Sequence, residues 1–155
     1  MRVGIGYDMH RLIPDRKLVL GGIHIPYEKG LAGHSDADVL VHALCDALLG
    51  AAGLGDIGMH FPDTDPAYKD ADSILLLQRT WEMVSAAYGT VVNIDATVFA
   101  QAPKLGPHRN DMAARLAEAL GIDVGQINIK ATTTEGMGLI GSEAAMAAMC
   151  VVMLK

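Results

Sequence analysis

The sequence predicts an α+β fold: a mixed β-sheet with helices packed on one face, plus a small N-terminal hairpin. Three observations lead there. Residues 2–10 alternate with period 2, residues 36–49, 73–88 and 108–120 carry apolar side chains at helical spacing, and further strand-like runs stand at 91–100, 127–133 and 144–154. The order β, β, α, α, β, α, β, β suggests one sheet with helices on a face. No internal repeat or linker divides the 155 residues, which are read as a single domain, 1–155.

Taken in order, Arg2 to His10 puts Val3, Ile5 and Tyr7 on one strand face and Gly4, Gly6, Asp8 and His10 on the other. Lys17 to Ile25, with Gly21-Gly22 in the middle, reads as strand or hairpin with a bulge. Residues 26–33 read as a loop. Ser35 is the expected N-cap of the next helix, with Asp38 three positions on in capping-box spacing. Leu40, Leu44 and Leu48 then form a buried stripe, while Asp38, His42 and Asp46 share a flank of the same helix. Residues 50–72 form a long Gly/Pro/Asp-rich loop, a length that often marks function. A second amphipathic helix follows from Ser73 with Asp72 or Ser73 as cap, then a strand at 91–100 and a Pro/Gly connection at 102–106. The helix from His108 closes at Gly121. A strand at 127–133, a Gly-rich loop at 135–141 and a final buried strand complete the chain.

Charged residues make up only 19% of the sequence and apolar ones 51%, too little charge to cover a small monomer comfortably. A homo-oligomer that buries apolar surface is therefore expected. The net charge of −6 argues against nonspecific nucleic-acid binding but leaves room for a phosphorylated ligand held by a metal or by backbone N–H groups. Cys45 and Cys150 lie in apolar runs and read as reduced core residues. The N-terminus has no signal-peptide pattern, and the longest apolar stretch, 144–154, is too short to span a bilayer, so a soluble cytoplasmic protein is expected, with no membrane partner.

The chemistry centres on Asp8, His10 and His42. Residues i and i+2 of a strand point to one side, so Asp8 and His10 can converge, and the first helix would bring His42 to them. Two histidines and a carboxylate suit a zinc site that keeps a coordination position open for substrate. Asp46, one turn beyond His42, is either an acceptor that orients the ring or a solvated helix residue. His34 and Ser35 precede the helix, where N–H groups favour an anion, although Ser35 could be only a cap. Asp63 and Asp65 could bind sugar hydroxyls or a hard metal, or simply order the loop as Asx turns. Thr132, Thr133, Thr134 and Glu135 place hydroxyls and a carboxylate at a strand end, a set that suits phosphate and Mg²⁺ as well as plain β-propensity. Lys104 could neutralise phosphate charge.

Together these segments resemble the 2-C-methyl-D-erythritol 2,4-cyclodiphosphate synthase family of the non-mevalonate isoprenoid pathway. The matching stretches are Gly6-Tyr7-Asp8-Met9-His10, His34-Ser35-Asp36-Ala37-Asp38, His42-Ala43-Leu44, Asp46 to Gly50 and Leu54 to Gly58. Phe61 to Pro66, Gln101-Ala102-Pro103-Lys104 and Lys130 to Glu135 continue the likeness, which runs from residue 1 to about 141. The resemblance implies intramolecular phosphoryl transfer: the 2-phosphate of a CDP-linked methylerythritol attacks the diphosphate, CMP leaves, and a cyclic diphosphate forms. It implies Zn²⁺ on Asp8, His10 and His42, and Mg²⁺ or Mn²⁺ placed by Glu135 with the substrate diphosphate. It gives His34 and Thr133 the task of steadying the transferring group. Ser35, Asp56, Ile57, Gly58, Phe61, Asp63, Thr64 and Asp65 would surround the substrate, with Asp56 and Asp63 on the methylerythritol part. Ala100, Pro103, Lys104, Leu105, Gly106, Ala131 and Thr132 would receive the cytidine nucleotide. A homotrimer with active sites between subunits is implied as well. The chain departs from the family pattern at 138–143, where Leu139 stands for an aromatic and Ser142 for an arginine, so no contact is carried over to either. A zinc-dependent phosphoester hydrolase using the same three ligands is the alternative activity.

Overall fold

The first strand packs its glycines inward and its apolar side chains outward. In the computed structural model, which describes residues 1–62, 64 and 71–155, β1 spans Arg2–Pro14 and the first helix, α1, spans Val39–Ala52. A Cβ on Gly4 would lie 1.9 Å from the carbonyl oxygen of Ala47, and one on Gly6 would lie 1.9 Å from that of Ala43. Ala43, Ala47 and Ala51 recur every four residues along α1 and are buried. Small residues on both elements thus let the helix backbone rest directly on the strand.

The remaining strands are β2 (Leu18–Leu20), β3 (Ile23–Ile25), β4 (Lys29–Leu31), β5 (Val91–Phe99), β6 (Ile127–Thr132) and β7 (Ala145–Leu154). Five of them form one mixed sheet in the order β4-β1-β7-β5-β6, in which only β5 and β6 run parallel. The central strand β7 is apolar nearly throughout, as a strand buried within a sheet requires. Short turns α2 (Ile57–His60) and α5 (Gly138–Gly141) join the longer helices α3 (Ser73–Ala87) and α4 (Arg109–Leu120). Helix α1 lies on β1 and β7, α4 lies on β6, and α3 packs against α1 and α4, so the helices occupy one face as predicted. Leu40, Leu44, Leu48, Leu77, Ile94, Met112 and Leu116 fill the space between helices and sheet. Burial pushes the Cys45 thiol up to about 12, in keeping with an inert core cysteine, and Cys150 is buried and free as well.

β2 and β3 pair as the predicted hairpin, Leu20 opposite Ile23, with Gly21 and Gly22 both at positive φ (58° and 72°) as a two-residue turn of this hand requires. Its anchor was not foreseen. The N-cap of α1 is Asp38 and not Ser35: its carboxylate accepts from Leu40 N and Val41 N at 3.1 Å each, and from Gly21 N at 3.0 Å and Gly22 N at 2.7 Å. The capping-box spacing misplaced the helix start because two of the four donors come from a hairpin that sequence spacing does not bring near. Asp38 is fully buried. Burial raises its pKa to about 6 from 3.8, although the N–H donors pull the other way. A raised carboxyl binds protons more readily in the folded chain, so its contribution to stability is full below about 4 and declines as pH rises toward about 6. Asp38→Ala strands four N–H groups and is expected to lower stability by about 3 kcal/mol or more, read as a shift of the urea unfolding midpoint.

Three further differences have the same origin. Residues 26–33, read as a loop, contain β4, which pairs with the far end of β1 (Leu12 opposite Leu31). The long loop contains the α2 turn, and the Gly-rich loop contains α5. The sheet face away from the helices is apolar and open: Val3, Ile5, Tyr7 and Met9 are 63%, 64%, 53% and 43% exposed, beside Met149 and Val151 of β7. No helix among the described residues is long and apolar enough to cross a membrane.

Candidate metal centre

Asp8 and His10 project from β1 on the side of Gly4 and Gly6, toward α1, and His42 meets them one turn after the Asp38 cap. Asp8 Oδ2 lies 2.9 Å from His10 Nε2 and 3.0 Å from His42 Nδ1, and the two ring nitrogens are 3.3 Å apart. Ligand atoms about 2.0–2.1 Å from a tetrahedral zinc would form edges of about 3.3 Å. The observed triangle is thus the right size and chemistry for one face of such a site, and the three residues are the metal-competent cluster among the described residues. Asp8, His10 and His42 keep 25%, 23% and 14% of their side-chain surface, so the triangle is sheltered yet reachable. Burial alone would favour a neutral Asp8, but the hydrogen bonds from His10 and His42, and their charge when protonated, hold its carboxyl well below the usual range. Burial likewise opposes charge on His42, but Asp8 outweighs it and raises the His42 pKa.

The triangle opens into a cavity of about 480 Å³ lined by His10, Gly33, His34, Ser35, His42, Ile57, Gly58, Phe61, Pro62 and Leu76. His34, Ser35, Ile57, Gly58 and Phe61 were all expected at the site. Ser35 is buried; its Oγ accepts from Ala37 N at 3.1 Å and lies 3.2 Å from His42 Nε2. The anion site expected at the helix N-terminus is already filled, because Asp38 takes the first N–H groups of α1. Asp46 does not orient His42: it accepts from Ile57 N at 2.7 Å and bolts α2 to α1 beside the cavity. Asp56 caps α2 through Met59 N at 3.0 Å. Thr64 is exposed, and Asp63 and Asp65 lie outside the described residues.

The Thr133 and Glu135 region lies elsewhere in the chain. A second groove of about 390 Å³ sits where the parallel strands β5 and β6 end, a common place for ligands. Ala100, Pro103, Lys104, Leu105, Gly106, Ala131 and Thr132, which the resemblance gave to the nucleotide, line it together with Gln101, Pro107, Arg109 and Thr133, the last expected instead at the transferring group. Arg109, a second cation for this groove, was missed because it reads as an ordinary first residue of a helix. Glu135 is exposed at φ 52°, and Thr133 Oγ1 donates to its carboxylate at 3.1 Å. Gln101 accepts from Gly136 N at 3.2 Å and so ties the two groove loops together. Among the described residues the two grooves share none of their lining. Asp8, Ala148, Val98 and Ala131 form one row across the sheet, which sets the two sites three strand spacings apart, about 14 Å.

A family model described as the YgbB family matches residues 1–155. A 2-C-methyl-D-erythritol 2,4-cyclodiphosphate synthase from Desulfosudis oleivorans is 64% identical over 154 residues, covering 99% of this chain and 92% of that protein. One from Desulfatibacillum aliphaticivorans is 59% identical over the full length of both. Among solved structures, a 2C-methyl-D-erythritol-2,4-cyclodiphosphate synthase in its CDP-bound form superposes with a TM-score of 0.91 at 38% identity, covering 99% of this chain and 100% of that one. The bifunctional IspDF from Campylobacter jejuni superposes with a TM-score of 0.94 at 45% identity, this chain spanning 41% of its length and matching over 97% of its own. A match that takes in the strand and the helix of the metal triangle together with the groove loops leaves one assignment: the chain belongs to the YgbB family, the family of the 2-C-methyl-D-erythritol 2,4-cyclodiphosphate synthases.

Proposed function

We propose that this chain, acting as one domain, cyclises 4-CDP-2-C-methyl-D-erythritol 2-phosphate to 2-C-methyl-D-erythritol 2,4-cyclodiphosphate. A 2-phosphate oxygen bonds to the β-phosphorus, the bond from that phosphorus to the oxygen bridging the α-phosphorus breaks, and CMP leaves with the electron pair. The single observation that carries this is the Asp8–His10–His42 triangle beside an open cavity, in a chain whose relatives are named for this reaction. The nucleophile is already an anion, so no strong base is required. What the protein must do is align two phosphates that repel and screen their charge.

Asp8, His10 and His42 would hold Zn²⁺, which when bound supplies Lewis-acid polarisation of a phosphate oxygen and a template. Glu135 would place Mg²⁺ or Mn²⁺ with the substrate diphosphate, since one exposed carboxylate leaves most of a hard cation's oxygen ligands to the substrate and water. His34 and Thr133 would steady the transferring group, and Lys104 and Arg109 would offset phosphate charge in the nucleotide groove. The CDP seen in a solved relative supports a cytidine nucleotide there.

Among the described residues the lining of the metal cavity includes no lysine or arginine, whereas the groove about 14 Å away has both. The open apolar face of β1 and β7 offers a surface for subunits to bury. These two facts support a homotrimer in which the metal side of one subunit meets the nucleotide side of the next. A reaction among water-soluble phosphates suits the cytoplasm and involves neither nucleic acid nor membrane.

Phosphoester hydrolysis is not favoured. It would need a base beside the open metal position; His34 and Asp46 are the candidates, and Asp46 is committed to Ile57 N. Incubation with substrate, Zn²⁺ and Mg²⁺ in ¹⁸O-water, followed by ³¹P NMR, decides between the two. CMP and unlabelled cyclic diphosphate are expected in equal amounts; ¹⁸O in the product phosphate would establish hydrolysis instead, and release of neither CMP nor inorganic phosphate would rule out both. Glu135→Gln is expected to raise the Mg²⁺ concentration needed for half-maximal rate while zinc content stays unchanged. Parallel loss of both metals would contradict this division of roles.

A further inference from the structure

Each nitrogen of a histidine ring can bind a metal, and which one does so is set by the partner of the other. We propose that Ser73 and Asp36 form a positioning pair that keeps the proton of His42 on Nε2 and so presents Nδ1 to Asp8 and His10; the inference rests on His42 being a metal ligand. Ser73 is the first residue of α3 and is fully buried. A serine there commonly spends its hydroxyl on capping the helix. Here Asp72 does the capping, accepting from Ile74 N at 2.8 Å, and the Ser73 hydroxyl turns instead to the α1 side.

The hydrogens can be assigned from donors and acceptors alone. Ser73 Oγ donates to Asp36 Oδ1, and Ser73 N donates to Asp36 Oδ2 at 3.1 Å. A carboxylate only accepts, so the one hydroxyl proton of Ser73 is committed to Asp36. The Ser73 oxygen also lies 3.0 Å from His42 Nε2. With its proton spent it can only accept there, and Nε2 must carry hydrogen. Ser35 Oγ, 3.2 Å from the same nitrogen, could act either way and leaves the tautomer open; the Asp36–Ser73 pair breaks the tie. Without metal, Nδ1 can carry a second proton and donate it to Asp8 Oδ2 at 3.0 Å, and zinc would take the place of that proton; a neutral ring protonated on Nδ1 alone would instead set two lone pairs facing each other at Nε2. Asp36 is itself fixed through its N–H to Ala71 O at 3.1 Å, so the pair joins the start of α3 to the metal-bearing helix.

The test uses the full chain and zinc alone. In Ser73→Ala the bond from residue 73 N to Asp36 survives, so the fold is kept and only the hydroxyl is lost. Competition with a chelator is expected to show zinc affinity reduced by about 10- to 100-fold. Long-range ¹H–¹⁵N spectra of the zinc-loaded, ¹⁵N-histidine-labelled protein should show one His42 form in the parent, with Nε2 protonated and Nδ1 metallated, and a mixture in Ser73→Ala. Ser73→Thr, which keeps a hydroxyl, should restore both affinity and spectrum. Unchanged affinity and spectrum in Ser73→Ala would overturn the proposal, as would failure of Ser73→Thr to rescue, since that pattern marks packing. Should Ser73→Ala lower the thermal midpoint of the metal-free protein, Asp36→Asn decides: its amide can donate to Ser73 Oγ and release the serine proton toward Nε2, so a shift of His42 toward the other tautomer supports the pair and an unaltered spectrum overturns it. A parent protein that binds no zinc would instead defeat the ligand assignment of His42, a separate outcome read in the same titration.

Discussion

His42→Ala is expected to abolish zinc binding and turnover and to leave the fold in place. The substitution removes one corner of a triangle whose edges are 2.9, 3.0 and 3.3 Å, and Asp8 and His10 alone cannot hold zinc against a chelator. Loss of a metal that supplies several kcal/mol of transition-state stabilisation lowers kcat by about a thousandfold or more. The fold survives because alanine is a strong helix former and the triangle lies at the margin of the core, so the metal-free stability changes by about 1 kcal/mol at most. Metal analysis, CMP release and size-exclusion chromatography check the three parts. Full activity in protein shown to be free of zinc would remove the metal from the reaction altogether.

Gly6→Ala, two residues before Asp8, strikes the fold and the site together. The new methyl would lie 1.9 Å from Ala43 O and 2.7 Å from Ala47 N, both backbone atoms of α1, which cannot rotate away as a side chain would. The helix must lift from the strand, at a cost of about 3 kcal/mol or more, the upper end for overpacked sites. Because α1 carries His42 next to Ala43, the same displacement widens the metal triangle, and zinc affinity falls along with the unfolding midpoint. Gly50→Ala is the matching control. Gly50 lies in the same helix, its new methyl would find no atom nearer than 3.9 Å, and helix propensity makes the change neutral or stabilising by up to about 1 kcal/mol. An unchanged midpoint for Gly6→Ala would mean that α1 does not rest on β1.

Much of the site could be read before any coordinates. Asp8 and His10 share a strand face by the period of a strand, His42 belongs to a helix by its leucine spacing, and the stretch around Gly21-Gly22 reads as strand or hairpin, although as a bulge and not as the tight turn observed. Each of these depends on residues close together in the chain, where backbone geometry dictates which way a side chain points. The groove residues 100, 103–106, 131 and 132 became legible through family likeness, since Pro, Gly and Ala carry no chemistry that spacing alone could decode.

Tertiary structure decided the rest, because the partners involved are far apart in sequence. Spacing put the cap of α1 on Ser35, but donors from Gly21 and Gly22 drew Asp38 into that role. Asp46, aligned with His42 on its helix, turned out to serve Ile57, while the ring's partner came from Ser73, 31 residues away and at the start of another helix. The inward face of β1 was also undecidable locally: period 2 separates glycines from valine and isoleucine, but only the approach of Ala43 and Ala47 shows that the glycine side is the buried one. A sequence states which residues share a face. The hydrogen-bond donors and close-packed backbones that select among faces and partners exist only once distant segments have met.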